Sequence, residues 1–267
     1  MTTRTSAVAL TFVLLMAVSL SAQTMAGPIS AGEMRRLRAS AAKGDTAAQA
    51  QLGQRYSVGD GVPRNPWLAA SWWRKAAEAG VAEAQHELAT LYYDGRGLPR
   101  DYRLAARWWQ RAAEQGHAQS QQRLATLHYN GLGVVKDYGM AAAWYRRAAE
   151  QGDQLSQDQL GSLFYTGQGV TQDYRAASSW FRRAADQGHP AAQYHLGVAL
   201  YHGHGVQQSH VEAYRWVSVA ASRVAPGQFL QYSALRDELS RRLPAQQLVE
   251  AQRLASDWQE AFGKTTR

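Results

Sequence analysis

Five of the eight histidines fall between His189 and His210, and His202 and His204 bracket a glycine as H-x-H, with His195 and His210 near in the chain. Imidazoles at such spacing suit a metal, but a metal site needs several ligands held in fixed geometry. The H-x-H pair flanks a loop, where imidazoles are ordinarily solvated, so the residues predict no metal. His86-Glu87 begins like a zinc-protease helix, yet Thr90 stands where the second histidine belongs. Ser40-Ala41-Ala42-Lys43 has the serine–lysine spacing of penicillin-recognising enzymes, but the partner motifs are absent and Lys264-Thr265-Thr266 lacks the glycine of one of them. Gly-x-Gly occurs five times, each time without the third glycine and preceding strand of a dinucleotide site. The chain has no cysteine, which excludes disulfides, thiolate metal sites, a cysteine nucleophile and a lipidated N-terminal cysteine. No constellation supports catalysis, and no cofactor is expected.

The elements that would position these residues recur every 36 positions. The tryptophan row reads Trp72, Trp108, Trp144, Trp180, Trp216, and the leucine row Leu52, Leu88, Leu124, Leu160, Leu196. Four residues before each leucine stands Ala48, Ala84, Ser120, Ser156 or Ala192; four after it stands Tyr56, Tyr92, His128, Phe164 or Leu200. Spacing of i, i+4, i+8 makes one helical stripe. Gly53, Ala89, Ala125, Gly161 and Gly197 follow the leucines and let a neighbouring helix approach closely. This first helix ends at a glycine pair such as Gly95/Gly97, where the left-handed conformation closes a helix. Val62, Leu98, Val134, Val170 and Val206 come next and are predicted to pin the loop to the core. Asn65, Asp101, Asp137, Asp173 and Ser209 are strong N-cap types for a second helix. That helix carries Ala69, Ala105, Ala141, Ala177 and Ala213, the tryptophan row as its predicted core knob, and paired alanines. Its polar face offers Arg74–Glu78, Arg146–Glu150 and Arg182–Asp186 at i, i+4. Two such helices cannot bury their apolar faces alone, so the units are predicted to share one continuous core.

Arg4 precedes a 14-residue apolar run, Ala7 to Leu20, which is short for a membrane span and suits a signal-peptide core. Thr24-Met25-Ala26 resembles a cleavage site leaving Gly27; cleavage after Ser21 or Ala22, or retention as an anchor, are the alternatives. The expected protein is periplasmic or secreted, with no stable membrane anchor after cleavage. Its formal charge is +8, or about +7 without Arg4, which suits anionic polysaccharide, phospholipid headgroups or acidic protein patches, and nucleic acid is not expected. The cations are spread rather than clustered, as on a solvated helix face.

The unit A-x-x-x-L-G-x-x-Y-x-x-G-x-G-V-x-x-D-x-x-x-A-x-x-W-x-x-x-A-A-x-x-G resembles the Sel1-like repeat, a relative of the tetratricopeptide repeat. The resemblance covers roughly residues 44–222, and the ending RRLPAQQLVEAQRLA is similar to the C-terminal cap of bacterial Sel1-repeat proteins. Ser209 in the aspartate position and Val224 in place of a glycine are departures that mark the last unit. The resemblance implies an all-α fold, a right-handed α-solenoid of five repeats with capping helices and a concave side lined by first helices. It also implies an adaptor rather than an enzyme, as in signalling, envelope biogenesis, secretion or host interaction. The predicted organisation is a signal peptide (1–26), an N-terminal capping helix (27–43), five units (44–79, 80–115, 116–151, 152–187, 188–222) and C-terminal capping helices with a frayed tail (223–267).

On the tetratricopeptide analogy, the concave face presents Tyr93, Tyr129, Tyr165 and Tyr201, flanked by Asp94, Asn130, Thr166 and His202. Glu83, His86 and Thr90 in unit two, Gln122 and Thr126 in unit three, and Asp158 and Ser162 in unit four belong to the same face. A tyrosine ladder beside varied polar groups suits an extended protein or peptide segment, with an anionic glycan as a further partner class. The same tyrosines could instead pack between repeats. Gln49, Gln85, Gln121, Gln157 and Gln193 read as buried amides bonding backbone. The expected function is a non-enzymatic exported scaffold; a cell-wall or β-lactam hydrolase and a glycan-binding module are the alternatives.

Overall fold

Each second helix starts where a short polar side chain turns back on its own first amides. Asp101 accepts from the backbone N–H groups of Arg103 (2.9 Å) and Leu104 (3.0 Å), and Asp137 from that of Met140 (2.9 Å). Asn65, Asp173 and Ser209 do the same in the other units. These caps satisfy donors that a helix start leaves open. Each first helix closes on a glycine in the left-handed region, as at Gly95 with φ of 73°. The second glycine of the pair serves a different purpose. A Cβ on Gly97 would collide with the backbone of Pro66 and Trp67 in the preceding unit, and Gly133 stands in the same relation to Tyr102 and Arg103. Successive loops therefore stack on successive second-helix N-termini.

The computed structural model describes residues 29–224 and 226–265. Among the described residues there are thirteen helices and no strand. Helix α1 (Ala31–Ala42) precedes five hairpins: α2 (Thr46–Val58) with α3 (Pro66–Glu78), α4 (Ala82–Asp94) with α5 (Tyr102–Glu114), α6 (Ala118–Asn130) with α7 (Tyr138–Glu150), α8 (Gln154–Thr166) with α9 (Tyr174–Asp186), and α10 (Pro190–His202) with α11 (His210–Ala221). Each second helix packs on the first helix of the next hairpin, so the hairpins stack into an α-solenoid. Helix α1 packs on α2; α12 (Pro226–Arg242) and α13 (Ala245–Thr265) both pack on α11. The predicted signal peptide lies outside the described residues, and no described helix is long and apolar enough to cross a membrane. Helix α13 continues past Phe262 to Thr265, where the sequence predicts fraying; Lys264 pairs with Glu260 at 2.6 Å across this last turn.

The leucine row is buried throughout, and the glycines beside it receive an apolar side chain from the second helix, Val217 at Gly197 and a ring at Gly53 and Gly161. That ring is not the predicted one. A Cβ on Gly53 would lie 2.6 Å from Trp73, and one on Gly161 would lie 2.6 Å from Phe181. The core position in every unit is therefore the row Trp73, Trp109, Tyr145, Phe181, Val217, all buried, whereas the repeated tryptophan row is divided: Trp144 and Trp216 are buried as predicted, and Trp72, Trp108 and Trp180 are only half-buried. The inward stripe runs through Ala69, Trp73, Ala76 and Ala77 at i, i+4, i+7, i+8, and Trp72 stands about 100° away from Trp73. Four of the five tryptophan faces carry a cation three residues on: Lys75 over Trp72 at 4.3 Å, Arg111 over Trp108 at 4.6 Å, Arg147 over Trp144 and Arg183 over Trp180 at 4.5 Å; Trp216 meets Arg215 at 4.8 Å instead.

The predicted i, i+4 ion pairs do not form within 4 Å. Arg74 donates instead to the Tyr92 hydroxyl of the next unit (2.9 Å), Arg146 lies over Phe164 and Arg182 over Trp216. A guanidinium that spans two units gains an aromatic or hydroxyl partner at a half-buried site, which an exposed same-helix carboxylate does not match. The glutamine row does bond backbone, as read. Gln49, Gln85, Gln121, Gln157 and Gln193 donate through Nε2 to the carbonyls of Ala41, Ala77, Ala113, Ala149 and Ala185 at 3.0–3.1 Å.

Candidate binding surface

Helical periodicity puts five rows of first-helix residues outside the core stripe, and the structure divides the predicted site among three depths. The deepest row holds His86, Gln122 and Asp158. His86 is 8 % exposed and Asp158 only 1 %, because the next unit covers them. Asp158 accepts from His195 Nδ1 at 2.7 Å, with His189 Nε2 at 3.8 Å from its other oxygen. Gln122 donates to Thr126 Oγ1 (3.0 Å), which also meets the Tyr145 hydroxyl (3.0 Å).

His86 belongs to a chain of groups that sequence reasoning did not assemble. Its Nδ1 lies 2.9 Å from Ser120 Oγ, which lies 3.0 Å from His117 Nδ1; His117 Nε2 meets Glu83 at 3.1 Å. The Ser120 backbone N–H also donates to His117 Nδ1 (3.2 Å), which makes Nε2 the protonated nitrogen that donates to Glu83. Glutamate, histidine and serine in hydrogen-bond sequence invite comparison with a nucleophile triad. Ser120 is fully buried, however, and a sealed hydroxyl reaches no substrate. The chain ties unit two to unit three. Burial, with a smaller push from neighbouring His117, pulls the His86 pKa down to about 4, and the bond from His117 holds the Glu83 carboxyl below its usual range. His117 was legible in principle: it stands at the N-cap position that Asp45 and Asp153 fill in units one and four.

The tyrosine row lies at middle depth, each ring half-buried against the start of its own unit's second helix. Centroids lie 5.1 Å apart for Tyr93 and Tyr102, 5.1 Å for Tyr129 and Tyr138, 5.0 Å for Tyr165 and Tyr174, and 5.3 Å for Tyr201 and His210. Packing is thus shared by all four, but the hydroxyls divide. Tyr165 bonds His204 Nδ1 (2.7 Å) and Tyr201 donates to Glu238 (2.8 Å). The hydroxyls of Tyr93 and Tyr129 have no hydrogen-bond partner among the described residues.

The outermost row is open to solvent. Asp94 pairs with Arg96, Asn130 Nδ2 donates to the Thr126 carbonyl (3.0 Å), Thr166 to the Ser162 carbonyl (2.9 Å), and His202 stacks beside His204. Thr90 donates to the His86 carbonyl at 3.0 Å. Ser162, Tyr165 and Thr166 come together with Phe181, His195 and Val198 around a hollow of about 230 Å³. A larger hollow, about 750 Å³, opens between α1 and α2 where no unit precedes, away from the predicted rows. The serine–lysine motif and the H-x-H pair have structural partners: Ser40 donates to Asp45 at 2.7 Å, and His202 and His204 lie as stacked rings.

A family model described as Sel1 repeat matches residues 46–81, 82–117, 118–153, 154–189 and 190–223. Among solved structures, a Sel1 repeat protein from Oxalobacter formigenes is 30% identical, with a TM-score of 0.73, covering 85% of this chain and 93% of that one. A protective antigen present in uropathogenic Escherichia coli strains, displaying an SLR fold, is 29% identical with a TM-score of 0.70; the match covers 88% of this chain but only 57% of that one. No curated protein matches.

Proposed function

The chain belongs to the Sel1 repeat family, and from that premise we propose that it is a non-enzymatic scaffold holding an extended protein segment along its first helices. The observation that carries this reading is the divided tyrosine row. Tyr93 and Tyr129 are oriented by ring packing yet keep hydroxyls that nothing in the described chain uses. Beside them the exposed side chains change from unit to unit, while the stacking positions repeat. Rigid rings next to varied polar groups give contact area and selectivity at low entropic cost. The exposed carboxylate of Glu83 and the polar side chains beside it give this face an affinity for polar or cationic segments. The ligand contacts assigned here are Glu83, Thr90, Tyr93, Asp94, Tyr129, Asn130, Ser162, Tyr165, Thr166 and His202, with His86, Gln122, Thr126, Asp158 and Tyr201 supporting them from below. The protein works outside the cytoplasm, on the leader reading of residues 1–26, in envelope signalling, secretion or cell-wall biogenesis.

The test places a photo-crosslinking residue at Asn130 and, separately, at Gln110 on the outward side of α5, in the native host. A discrete polypeptide adduct from Asn130 alone supports the reading. Equal adducts at both positions, or binding on a glycan array with none to polypeptide, refutes it.

A further inference from the structure

The stacked loops form an edge distinct from the groove, and that edge is asymmetric. Its solvent-facing loop position carries Arg64, Arg100 and Lys136 in the first three units, then Gln172 and Gln208 in the last two. None of the three cations forms a salt bridge, and Arg100 and Lys136 rest over Tyr102 and Tyr138 of their own units. The carboxylates of this edge are turned away: Asp101 and Asp137 bond helix amides, and Asp60 pairs with Arg55. Three exposed apolar side chains lie along this edge in the same units. Trp67 is 65 % exposed at the start of α3, Val135 is 84 % exposed in the loop before α7, and Met140 is 42 % exposed in its first turn. Gly97 against Pro66 and Trp67, and Gly133 against Tyr102 and Arg103, place consecutive loops side by side, so these residues share one strip.

We infer that this strip docks on the surface of an anionic phospholipid bilayer. The three cations sit on headgroups, and Trp67, Val135 and Met140 enter the interfacial layer. Cations alone would suit any polyanion. Projecting apolar groups among them favour a bilayer, which offers negative charge above hydrocarbon, and an indole is well placed at that boundary. Docking by this edge leaves the first-helix face open. The strip falls where the repeat loses its symmetry, whereas stacking requires only the positions that recur.

The absence of cysteine permits a single label. Val135→Cys and, as control, Gln110→Cys are each labelled in the full-length chain with a polarity-sensitive dye. They are mixed with phosphatidylcholine vesicles with or without 30 mole per cent phosphatidylglycerol. The expected result is a blue shift at position 135 with the anionic vesicles only, reversed at high salt. Arg64→Gln, Arg100→Gln and Lys136→Gln together should weaken it roughly 100-fold, at about one lipid charge contact each. A triple substitution of equal charge on the outward second-helix face, Arg111→Gln, Arg147→Gln and Arg183→Gln, should weaken it less than threefold. No shift at 135, an equal shift at 110, an equal loss from both triples, or the same shift with heparin in place of vesicles overturns the inference.

Discussion

Gln151 donates its side-chain amide to the carboxamide oxygen of Gln121 at 2.7 Å, while Gln121 donates to the Ala113 carbonyl at 3.0 Å. The arrangement recurs for Gln115 on Gln85 and Gln187 on Gln157. It fails at the fifth unit, where Arg223 stands in the donor's place and Gln193 Oε1 is buried without a partner. Replacing Gln121 by Leu leaves the Gln151 amide only its longer bond to the Arg147 carbonyl (3.3 Å) and should cost about 1–2 kcal/mol. Gln193→Leu removes an oxygen that is already unsatisfied and should cost less. Urea midpoints of the two variants check the order; a larger loss at Gln193 would count against the donor account.

The second prediction follows from the displaced aromatic row. Trp109→Ala empties a buried ring site and should cost about 3–5 kcal/mol. Trp108→Ala removes a half-buried ring and its contact with Arg111, and should cost roughly half as much. Chemical denaturation of the pair tests the assignment directly. Equal losses would give Trp108 the same core weight as Trp109.

That row shows how far the sequence could be read. Hairpin count, caps, glycine turns and buried glutamines were all legible, because stacking imposes the same contact in every unit and each contact needs one residue type. Position 72 repeats as Trp at the edge of the core, where in four of the five units its ring meets a cation three residues on. Position 73 accepts Trp, Tyr, Phe or Val, since a core site asks only for apolar volume. Letter identity thus pointed one residue away from the position that is buried in all five units, although the stripe through Ala69 and Ala76 would have located it. The groove was legible as a face but not in depth. His86, Gln122 and Asp158 occupy a surface row by spacing, and only the three-dimensional stack covers them. The His117–Ser120–Glu83 chain joins residues more than thirty positions apart, beyond the reach of local pattern.

The third prediction concerns acid. Unfolded His86 titrates near 6.5, whereas burial, with a smaller push from His117, holds its folded pKa near 4, against the opposing pull of Glu83 and alongside a further push from Arg123. Below pH 6.5 the unfolded chain takes up a proton that the folded chain refuses, so stability falls as pH drops towards 4 and levels off beneath it. Two and a half units correspond to about 3 kcal/mol. His189, lowered mainly by burial, adds loss in the same direction. His86→Gln, which installs the residue type found at the equivalent Gln122, should flatten the stability profile between pH 6.5 and 4. An unchanged slope would show that His86 does not control it.

The last prediction separates hydroxyl from ring. Tyr93→Phe and Tyr129→Phe keep the ring contacts with Tyr102 and Tyr138 and remove only hydroxyls that have no partner among the described residues. Neither should move the melting temperature appreciably. Tyr165→Phe, by contrast, breaks the 2.7 Å bond to His204 and should cost about 1 kcal/mol. If the groove holds an extended segment, the crosslinked segment made as a synthetic peptide should bind the Tyr93/Tyr129 double variant roughly tenfold more weakly, at about 0.7 kcal/mol for each lost hydrogen bond. Calorimetric titration alongside thermal melting gives both numbers. Binding that survives in the double variant, or that falls only in step with stability, would assign the row to packing alone. A loss of affinity without loss of stability can come only from hydroxyls that the fold itself leaves free.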